Sequence, residues 1–373
     1  MLARFECENF RGFKERLVFD LTAHTYEFGL GLIKDGVVKN VLVYGPNGIG
    51  KSSLGMALFD VVGHLTDNKP MSVELLDPYV NLDSTAKSVA FKYKFKFSEG
   101  WVTYEYEKVA PDQLVHESLW FDNDLVLDWN YANSEGNSYR EDILGPINLE
   151  KRDPQVSIVK YVYRTQKSEG HVLLIRMMKF LESMLWVRRL SDGSGYAGFQ
   201  VKKEYLGEAI IQKGKLKEFE RFLHEHGLDY LLEPANVGGH DVIMVKFENG
   251  RAPFEDVASS GTINLELFFY WSIAAFPSVS LLFIDEYDAY FHYESSRALL
   301  EVLNTSVGFQ VFLTTHNTYL MQNGLTRPDA CYLLSRTKER GHRIVALCDA
   351  TEKEIRLAHN LEKMYTHGVF REF

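Results

Sequence analysis

The chain has 373 residues, 46% of them hydrophobic, so it can bury a large core, which excludes a disordered protein. Its 41 basic and 51 acidic residues give a formal net charge of −10, which excludes a global positive field that would attract nucleic acid. Cys7, Cys331 and Cys348 are far apart and have no metal-binding spacing, so the sequence predicts no disulfide framework and no zinc site, as expected in a reducing cytoplasm.

A glycine-rich loop, GPNGIGKS at residues 45–52, lies between apolar runs at 41–44 and 54–59. It matches the phosphate-binding pattern G-x-x-x-x-G-K-[ST] at every fixed position, and the flanking runs predict a strand before it and a helix after it. Backbone N–H groups of such a loop and the positive end of the helix bind phosphates. We expect a nucleotide triphosphate to be bound by Asn47, Gly48, Gly50, Lys51, Ser52 and Ser53. Lys51 would reach the terminal phosphates and Ser52 would ligate Mg²⁺, and the alternative is a tight turn without this chemistry.

Residues 87–130 alternate apolar and polar side chains and are rich in Phe, Tyr, Val and Trp, which predicts antiparallel strands. Residues 91–97 alternate strictly, with Lys92, Lys94 and Lys96 on one face and aromatic side chains on the other. This pattern favours an amphipathic strand over a nucleic-acid-binding ridge. The basic-aromatic segment 186–189 is another small indication of nucleic-acid binding, and it is outweighed in the same way.

The middle of the chain is predicted to contain a strand and then helices. Residues 130–142 are polar and predict an exposed loop, and residues 156–163 predict a strand that leads to Gln166. Apolar spacing over 171–190 and 215–227 predicts helices. No long heptad run lies between Lys51 and Ser259, so coiled-coil arms are not expected.

A serine- and glycine-containing turn, residues 259–262, precedes a predicted helix that begins near Ile263. The hydroxyl of Ser259 and the N–H of Gly261 could then contact a γ-phosphate, although ordinary helix capping would look the same. The position of this turn, upstream of an acid pair, favours phosphate contact.

Residues 267–284 contain no charge, and a stretch of this length is borderline for a membrane span. Pro277 and several serines interrupt the stretch, so a buried helix followed by a central strand is the simpler interpretation. No association with a membrane is expected.

Residues 281–284 predict a buried parallel strand that ends in Asp285 and Glu286. Ligands of open α/β sheets bind at the carboxyl ends of the strands. Asp285 would hold Mg²⁺ through water, and Glu286 would orient or deprotonate an attacking water. A pair of acids that only caps a helix is the alternative.

A second apolar run, 311–313, ends in Thr314, Thr315 and His316. If this strand neighbours the one before Asp285, His316 lies at the same sheet edge and can hydrogen-bond the γ-phosphate.

Together with the opening FECENFRGF at 5–13, these segments resemble the RecF/SMC/OLD branch of ABC ATPases. The segments 258–262, 284–292 and 359–365 look most like the stand-alone AAA-type ATPases of bacterial abortive-infection and anti-phage modules. Two positions depart from the general ABC pattern. Thr262 stands where a Gln or Glu usually follows the glycine of the turn, and Tyr287 stands where a Pro usually follows the acid pair. The resemblance implies an α/β P-loop NTPase, an ABC-type head with a central, mostly parallel sheet, an antiparallel β subdomain and a helical insertion.

The resemblance also implies ATP and Mg²⁺ as cofactors and an ATP-dependent homodimer or higher oligomer. Ser259 and Gly261 would act in trans by completing the site of the other subunit. ABC enzymes carry a glutamine at a strand end that joins the Mg²⁺ sphere, and Gln166 is the candidate here, although any exposed glutamine near a strand end would look the same.

Four regions are expected: an N-terminal ATPase lobe at 1–169, a helical insertion at 170–240, a lobe at 241–350 and a helical tail at 351–373. The lobe at 241–350 would contain the turn at 259–262, which we call the signature turn, together with the acid pair and His316. We expect a cytoplasmic ATPase that acts as a nucleotide-switched sensor or scaffold and controls a toxin or nuclease in anti-phage defence. The alternative is a RecF-like DNA-binding ATPase of repair or recombination, so nucleic acid stays a possible partner.

Overall fold

Two seven-stranded sheets and the helices that pack on them form the core of the computed structural model. The structure describes residues 1–68, 77–133, 137–148, 153–166, 170–187, 196–198, 206–274, 276–289, 293–306 and 308–370. The strands are β1 Leu2–Glu8, β2 Leu17–Asp20, β3 Ile33–Lys34, β4 Val37–Val38, β5 Asn40–Tyr44, β6 Val89–Phe97, β7 Gly100–Ala110, β8 Gln113–Phe121, β9 Asp124–Asn130, β10 Ser138–Tyr139, β11 Met184–Val187, β12 Tyr196–Gly198, β13 Leu232–Val237, β14 His240–Phe247, β15 Gly250–Pro253, β16 Leu281–Ile284, β17 Gln310–Thr315, β18 Cys331–Thr337 and β19 Gly341–Ala346. The helices are α1 Lys51–Leu65, α2 Glu141–Leu144, α3 Ile158–Gln166, α4 Val172–Glu182, α5 Leu206–Gln212, α6 Leu216–Glu225, α7 Phe254–Val257, α8 Ser260–Ala274, α9 Tyr293–Ser306 and α10 Leu361–Thr366.

The central sheet has the order β12-β11-β16-β17-β5-β18-β19, and its five inner strands are parallel. Alternate residues of each inner strand enter different cores: Leu281 and Phe283 pack towards α1, whereas Leu282 and Ile284 pack towards α8 and α9. Burial of both faces explains why these strands are continuous apolar runs. The carboxyl ends of β16, β17 and β5 lie side by side, as the sequence predicts, and the mostly parallel α/β fold is confirmed.

The second sheet is antiparallel, with the order β10-β9-β8-β7-β6-β1-β2. In β6 the aromatic side chains are buried, and the alternating lysines lie on the other face, where Lys92 pairs with Glu105 and Lys94 stacks over Trp101. The amphipathic-strand interpretation of residues 91–97 is confirmed, because each of these lysines has a partner within the same sheet. Of the predicted loop at 130–142, residues 134–136 lie outside the described residues, and Ser138–Tyr139 form the short edge strand β10.

The predicted strand at 156–163 is wrong, because residues from Ile158 onwards form helix α3. Ser157 caps this helix, since its Oγ accepts a hydrogen bond from the Lys160 N–H at 3.2 Å. Buried Ile158, Val159 and Val162 share one helical face, so β-branched residues here serve helical packing despite their strand propensity.

The predicted helix over 171–190 is wrong at 183–187, because α4 ends at Glu182, and residues 188–190 lie outside the described residues. Residues 184–187 form β11, which pairs in parallel with β16 and is buried throughout. A four-residue buried strand cannot be distinguished by periodicity from the end of an apolar helix. Trp186 belongs to the core and contacts Phe283, so it offers no nucleic-acid surface, and Arg188 and Arg189 lie outside the described residues.

The uncharged stretch 267–284 contains the end of α8 and the strand β16, as predicted. Helix α8 is buried on nearly all sides, which explains its apolar run at 267–271. In the part of the chain that the structure describes, no helix has both the length and the apolar character of a membrane span.

Candidate nucleotide-binding site

The phosphate loop (residues 45–52) connects β5 to α1 and is built for an anion. Gly48 and Gly50 have φ angles of 74° and 106°, in the left-handed region that glycine adopts without strain. Gly50 caps a helix of 15 residues, whose first N–H groups point into the loop. A Cβ at Gly50 would lie 3.1 Å from the Phe13 ring, so the N-terminal turn at 9–13 packs directly against the loop.

Lys51 is buried, and its ammonium lies among acceptors of the loop and of the neighbouring strand. It donates to the Gly45 carbonyl at 2.9 Å and lies 2.8 Å from Nε2 of His316. Burial lowers the pKa of Lys51, against the opposing effect of Asp285 and Glu286. Burial and the Lys51 charge lower the pKa of His316, which favours a neutral imidazole that accepts from the ammonium.

Asp285 and Glu286 lie in a sharp turn at the end of β16. The Asp285 side chain is buried, and the backbone N–H of Asp285 donates to the Val187 carbonyl of β11 at 2.9 Å. Glu286 has an exposed side chain and a φ of 50°, which a non-glycine residue rarely adopts and which is frequent at functional sites. The two acids therefore differ: one carboxylate is fixed inside the protein, and the other faces the solvent.

Thr314, at the end of β17, holds this turn with three hydrogen bonds. Its Oγ1 donates to Oδ1 of Asp285 at 2.6 Å and accepts the Glu286 N–H at 2.8 Å. Its carbonyl accepts the Tyr287 N–H at 3.0 Å. Sequence reasoning assigned a role to His316 two residues later and missed Thr314. The only available signal was the predicted pairing of the two strands, which places a hydroxyl beside the acid pair.

Ser52 and Ser53 lie half-buried in the first turn of α1, directly after Lys51. Asn47 is exposed at the tip of the loop. The structure thus brings the predicted loop residues, the acid pair and His316 to one edge of the central sheet.

The signature turn lies at the start of α8, which begins at Ser260, slightly earlier than predicted. Ser259 caps this helix, since its Oγ accepts the Thr262 N–H at 3.2 Å and lies 2.9 Å from Thr262 Oγ1. Ser259 and Ser260 are exposed, and Gly261 is half-buried. These groups are accessible to another molecule.

Gln166 does not end a strand, because it is the last residue of α3. Its side chain packs against Gly145, at the end of α2 beside the antiparallel sheet. The strand that motivated its assignment as a Mg²⁺ ligand is absent, so that assignment has lost its structural basis and stays an untested prediction.

The residues at this edge fit a magnesium nucleotide. The loop offers backbone N–H groups and a buried ammonium, which suit phosphate oxygens. The Asp285 carboxylate is an oxygen ligand of the kind that Mg²⁺ prefers, and its bond to Thr314 fixes its orientation. Ser52 is the hydroxyl ligand that the loop motif supplies.

Comparison with known proteins gives one family match and several similar structures. A family model described as "AAA domain, putative AbiEii toxin, Type IV TA system" matches residues 41–322. A sequence search of curated proteins found no match. Among solved structures, the chain is similar to an SMC head domain from Thermotoga maritima, with a TM-score of 0.46 and 13% identity over 92% of this chain and 98% of that one. It is also similar to an SmcHead bound to the C-winged helix domain of ScpA, with a TM-score of 0.46 and 15% identity over 93% and 97%.

The family match covers most of the chain and includes the phosphate loop, the signature turn, the acid pair and His316. The predicted resemblance to abortive-infection ATPases is therefore confirmed, and the chain belongs to this family of AAA domains.

Proposed function

We propose that the chain binds Mg-ATP and hydrolyses it, and that its nucleotide state controls a partner effector. One observation carries the proposal: Thr314 bonds to the Asp285 carboxylate and to the Glu286 N–H, and its strand, β17, also places His316 within hydrogen-bond distance of Lys51. A helix cap made by two acids would need neither the buried ammonium nor the neighbouring hydroxyl.

In this proposal the loop N–H groups and Lys51 bind the β- and γ-phosphates. Lys51 would exchange its bonds to loop carbonyls for phosphate oxygens, which are stronger acceptors. Bound Mg²⁺, held by Ser52 and Asp285, would neutralise phosphate charge.

Glu286 is the proposed base. Its exposed carboxylate can orient a water molecule and accept a proton from it, while the Thr314 bond to its N–H fixes the backbone. Once Lys51 turns to the nucleotide, Nε2 of His316 no longer accepts from it, so the neutral imidazole can change tautomer, carry its proton on Nε2 and donate to the γ-phosphate.

The regulatory part of the proposal rests on the family and on an exposed surface. The matching family model is described as a putative toxin of a type IV toxin–antitoxin system, which supports a role in a defence module. The exposed signature turn supports a nucleotide-dependent homodimer. The RecF-like alternative receives little support from β6, since Lys92 pairs with Glu105 and Lys96 stacks over Trp101.

Two variants test the chemistry. Lys51→Ala should abolish ATP binding, because it removes the cation that faces the phosphates. Glu286→Gln should bind ATP and lose turnover, because an amide cannot accept the proton of water. Lys87→Ala is the control, since Lys87 is exposed and lies outside the site. Binding and phosphate release are measured on all three, and normal turnover in Glu286→Gln would remove Glu286 from the proposed role.

The control of a partner is tested by co-purification with the product of the neighbouring gene, followed by phage challenge. Loss of protection in Lys51→Ala supports the proposal. ATP-dependent binding to DNA ends, without a protein partner and without protection, would favour the RecF-like alternative.

A further inference from the structure

Three side chains from opposite ends of the chain meet beside the two sheets: His24, Cys348 and Asp349. One ligand atom of each lies within 4.8 Å of the others, and His24 Nε2 lies 3.3 Å from Asp349 Oδ1. Within the described ranges, no other trio of His, Cys, Asp or Glu has this spacing. Sequence spacing could not reveal the group, because the fold alone brings residue 24 to residues 348 and 349.

The position of His24 is fixed by a buried ion pair. Arg327 and Asp329 are each 1% exposed and pair at 2.8 Å. The His24 N–H donates to Asp329 Oδ2 at 2.8 Å, and its carbonyl accepts from Arg327 Nη2 at 2.9 Å. Both backbone polar groups of His24 are therefore held, and only its imidazole extends towards the cluster.

Cys348 and Asp349 follow β19 in a turn that is also anchored. The Leu347 N–H donates to the Cys331 carbonyl at 2.8 Å, and the Asp349 N–H donates to the Ala346 carbonyl at 3.0 Å. Cys348 is partly buried, whereas His24 and Asp349 are exposed, so an ion can enter from the solvent side.

Thiolate, imidazole and carboxylate are the ligand types of zinc sites, and ligand bonds of about 2.0–2.3 Å require donor atoms slightly closer together than they are here. These shorter distances require rotation of the side chains, while the backbones of His24 and Asp349 are held by hydrogen bonds. The carboxylates of Asp349 and Asp329 lie near the Cys348 thiol and favour a cation there.

We propose that His24, Cys348 and Asp349 bind one Zn²⁺ ion, with water at the fourth position. The ion clips the segment after β2, in the antiparallel sheet, to the turn after β19, in the central sheet. These edge strands already contact each other, so the clip strengthens an existing junction. The site is separate from the phosphate loop, and the proposal does not depend on ATP hydrolysis.

Cobalt(II) titration of the purified full chain tests the site, because a thiolate ligand gives Co²⁺ a near-ultraviolet charge-transfer band. Co²⁺ bound to oxygen ligands of the nucleotide site would give no such band. We expect one equivalent of Co²⁺ to produce the band and one equivalent of Zn²⁺ to abolish it.

The chain supplies its own controls, since Cys7→Ser and Cys331→Ser should keep the band and Cys348→Ser should lose it. His24→Ala and Asp349→Asn should weaken Zn²⁺ binding at least about 10-fold, whereas His367→Ala should not.

A second measurement needs no substitution. Zn²⁺ should slow alkylation of Cys348 in the native protein, as followed by peptide mass spectrometry, and should raise the melting temperature of wild type but not of His24→Ala. The proposal is overturned if the charge-transfer band persists in Cys348→Ser, if wild type shows no band, or if Zn²⁺ leaves the alkylation rate of Cys348 unchanged.

Discussion

Thr314 is the residue on which the geometry of the candidate site depends most. Its hydroxyl is shared between the carboxylate of Asp285 and the N–H of Glu286, at 2.6 and 2.8 Å. Glu286 has a left-handed backbone, which costs free energy unless neighbouring contacts hold it. A single hydroxyl thus orients one acid and stabilises the strained backbone of the other.

Thr314→Val keeps the shape of the side chain and removes this hydroxyl. We expect turnover to fall about 10- to 100-fold, as for other residues that orient ligands, while ATP binding through the loop changes little. The lost hydrogen bonds should also cost about 1–3 kcal/mol in the free energy of unfolding. Steady-state ATPase assays, ATP-binding isotherms and denaturant unfolding measure these effects. Thr314→Ser restores the hydroxyl and should restore turnover. If Thr314→Val turns over ATP at the wild-type rate, the positioning role is wrong.

The sequence predicted the residues that carry charge more completely than those that position them. The phosphate loop, the acid pair and His316 each follow an apolar strand, and parallel strands bring their carboxyl ends together. Thr314 was missed because a hydroxyl acts through its partner on another strand, which only the register reveals. The His24 cluster was missed for the same reason, since its members meet only through tertiary packing.

At the level of elements, the alternating strand β6 and the apolar strand β16 before the acid pair were predictable, whereas α3 and β11 were not. Seven residues of strict alternation, 91–97, identified β6, and its burial pattern follows the prediction. Helix α3 was misassigned because β-branched residues also pack on a helical face, and strand β11 was misassigned because a continuous run of four apolar residues shows no period.

Helix α8 contains an acid that a buried helix would not be expected to carry. Glu266 is 1% exposed, and its Oε2 has no hydrogen-bond partner within the described part of the chain. It faces a cavity of about 330 Å³, which Glu208, Asp241 and Glu255 also line. Burial, with a smaller effect of Glu255, raises the pKa of Glu266 to about 8, so the neutral carboxylic acid dominates at neutral pH.

This buried acid makes stability depend on pH. Between its ordinary pKa of 4.5 and about 8, the folded state keeps the proton and the unfolded state loses it. The free energy of unfolding should therefore fall as pH rises through this range, by up to about 1.4 kcal/mol per pH unit from this group. Glu266→Gln stays neutral, so its stability relative to wild type should increase from pH 5 to pH 8. Denaturant unfolding at several pH values measures the difference, with Glu255→Gln as an exposed control. A difference independent of pH would contradict the assignment.

For the whole molecule, the signature turn matters because a second copy of the chain could bring a nucleotide to it. The hydrogen bonds of Ser259 remain within its own turn, where it caps α8. The capped turn exposes the hydroxyls of Ser259 and Ser260 and the N-terminus of a 15-residue helix, which can bind an anion. A second copy of the chain, with ATP in its phosphate loop, would supply that anion in an isologous dimer.

We therefore expect Glu286→Gln, which retains ATP, to form a dimer in Mg-ATP and to return to the monomer when ATP is removed. Adding Ser259→Arg should prevent the dimer and preserve ATP binding, because a long side chain would occupy the position of the γ-phosphate contact. Asp256→Arg is the matched control, since it places the same cation on an exposed residue three positions earlier. Sedimentation velocity, with and without ATP, gives the mass of each variant. If ATP leaves the mass unchanged in Glu286→Gln, or if both arginine variants dimerise equally, the signature turn does not complete the site of a second subunit.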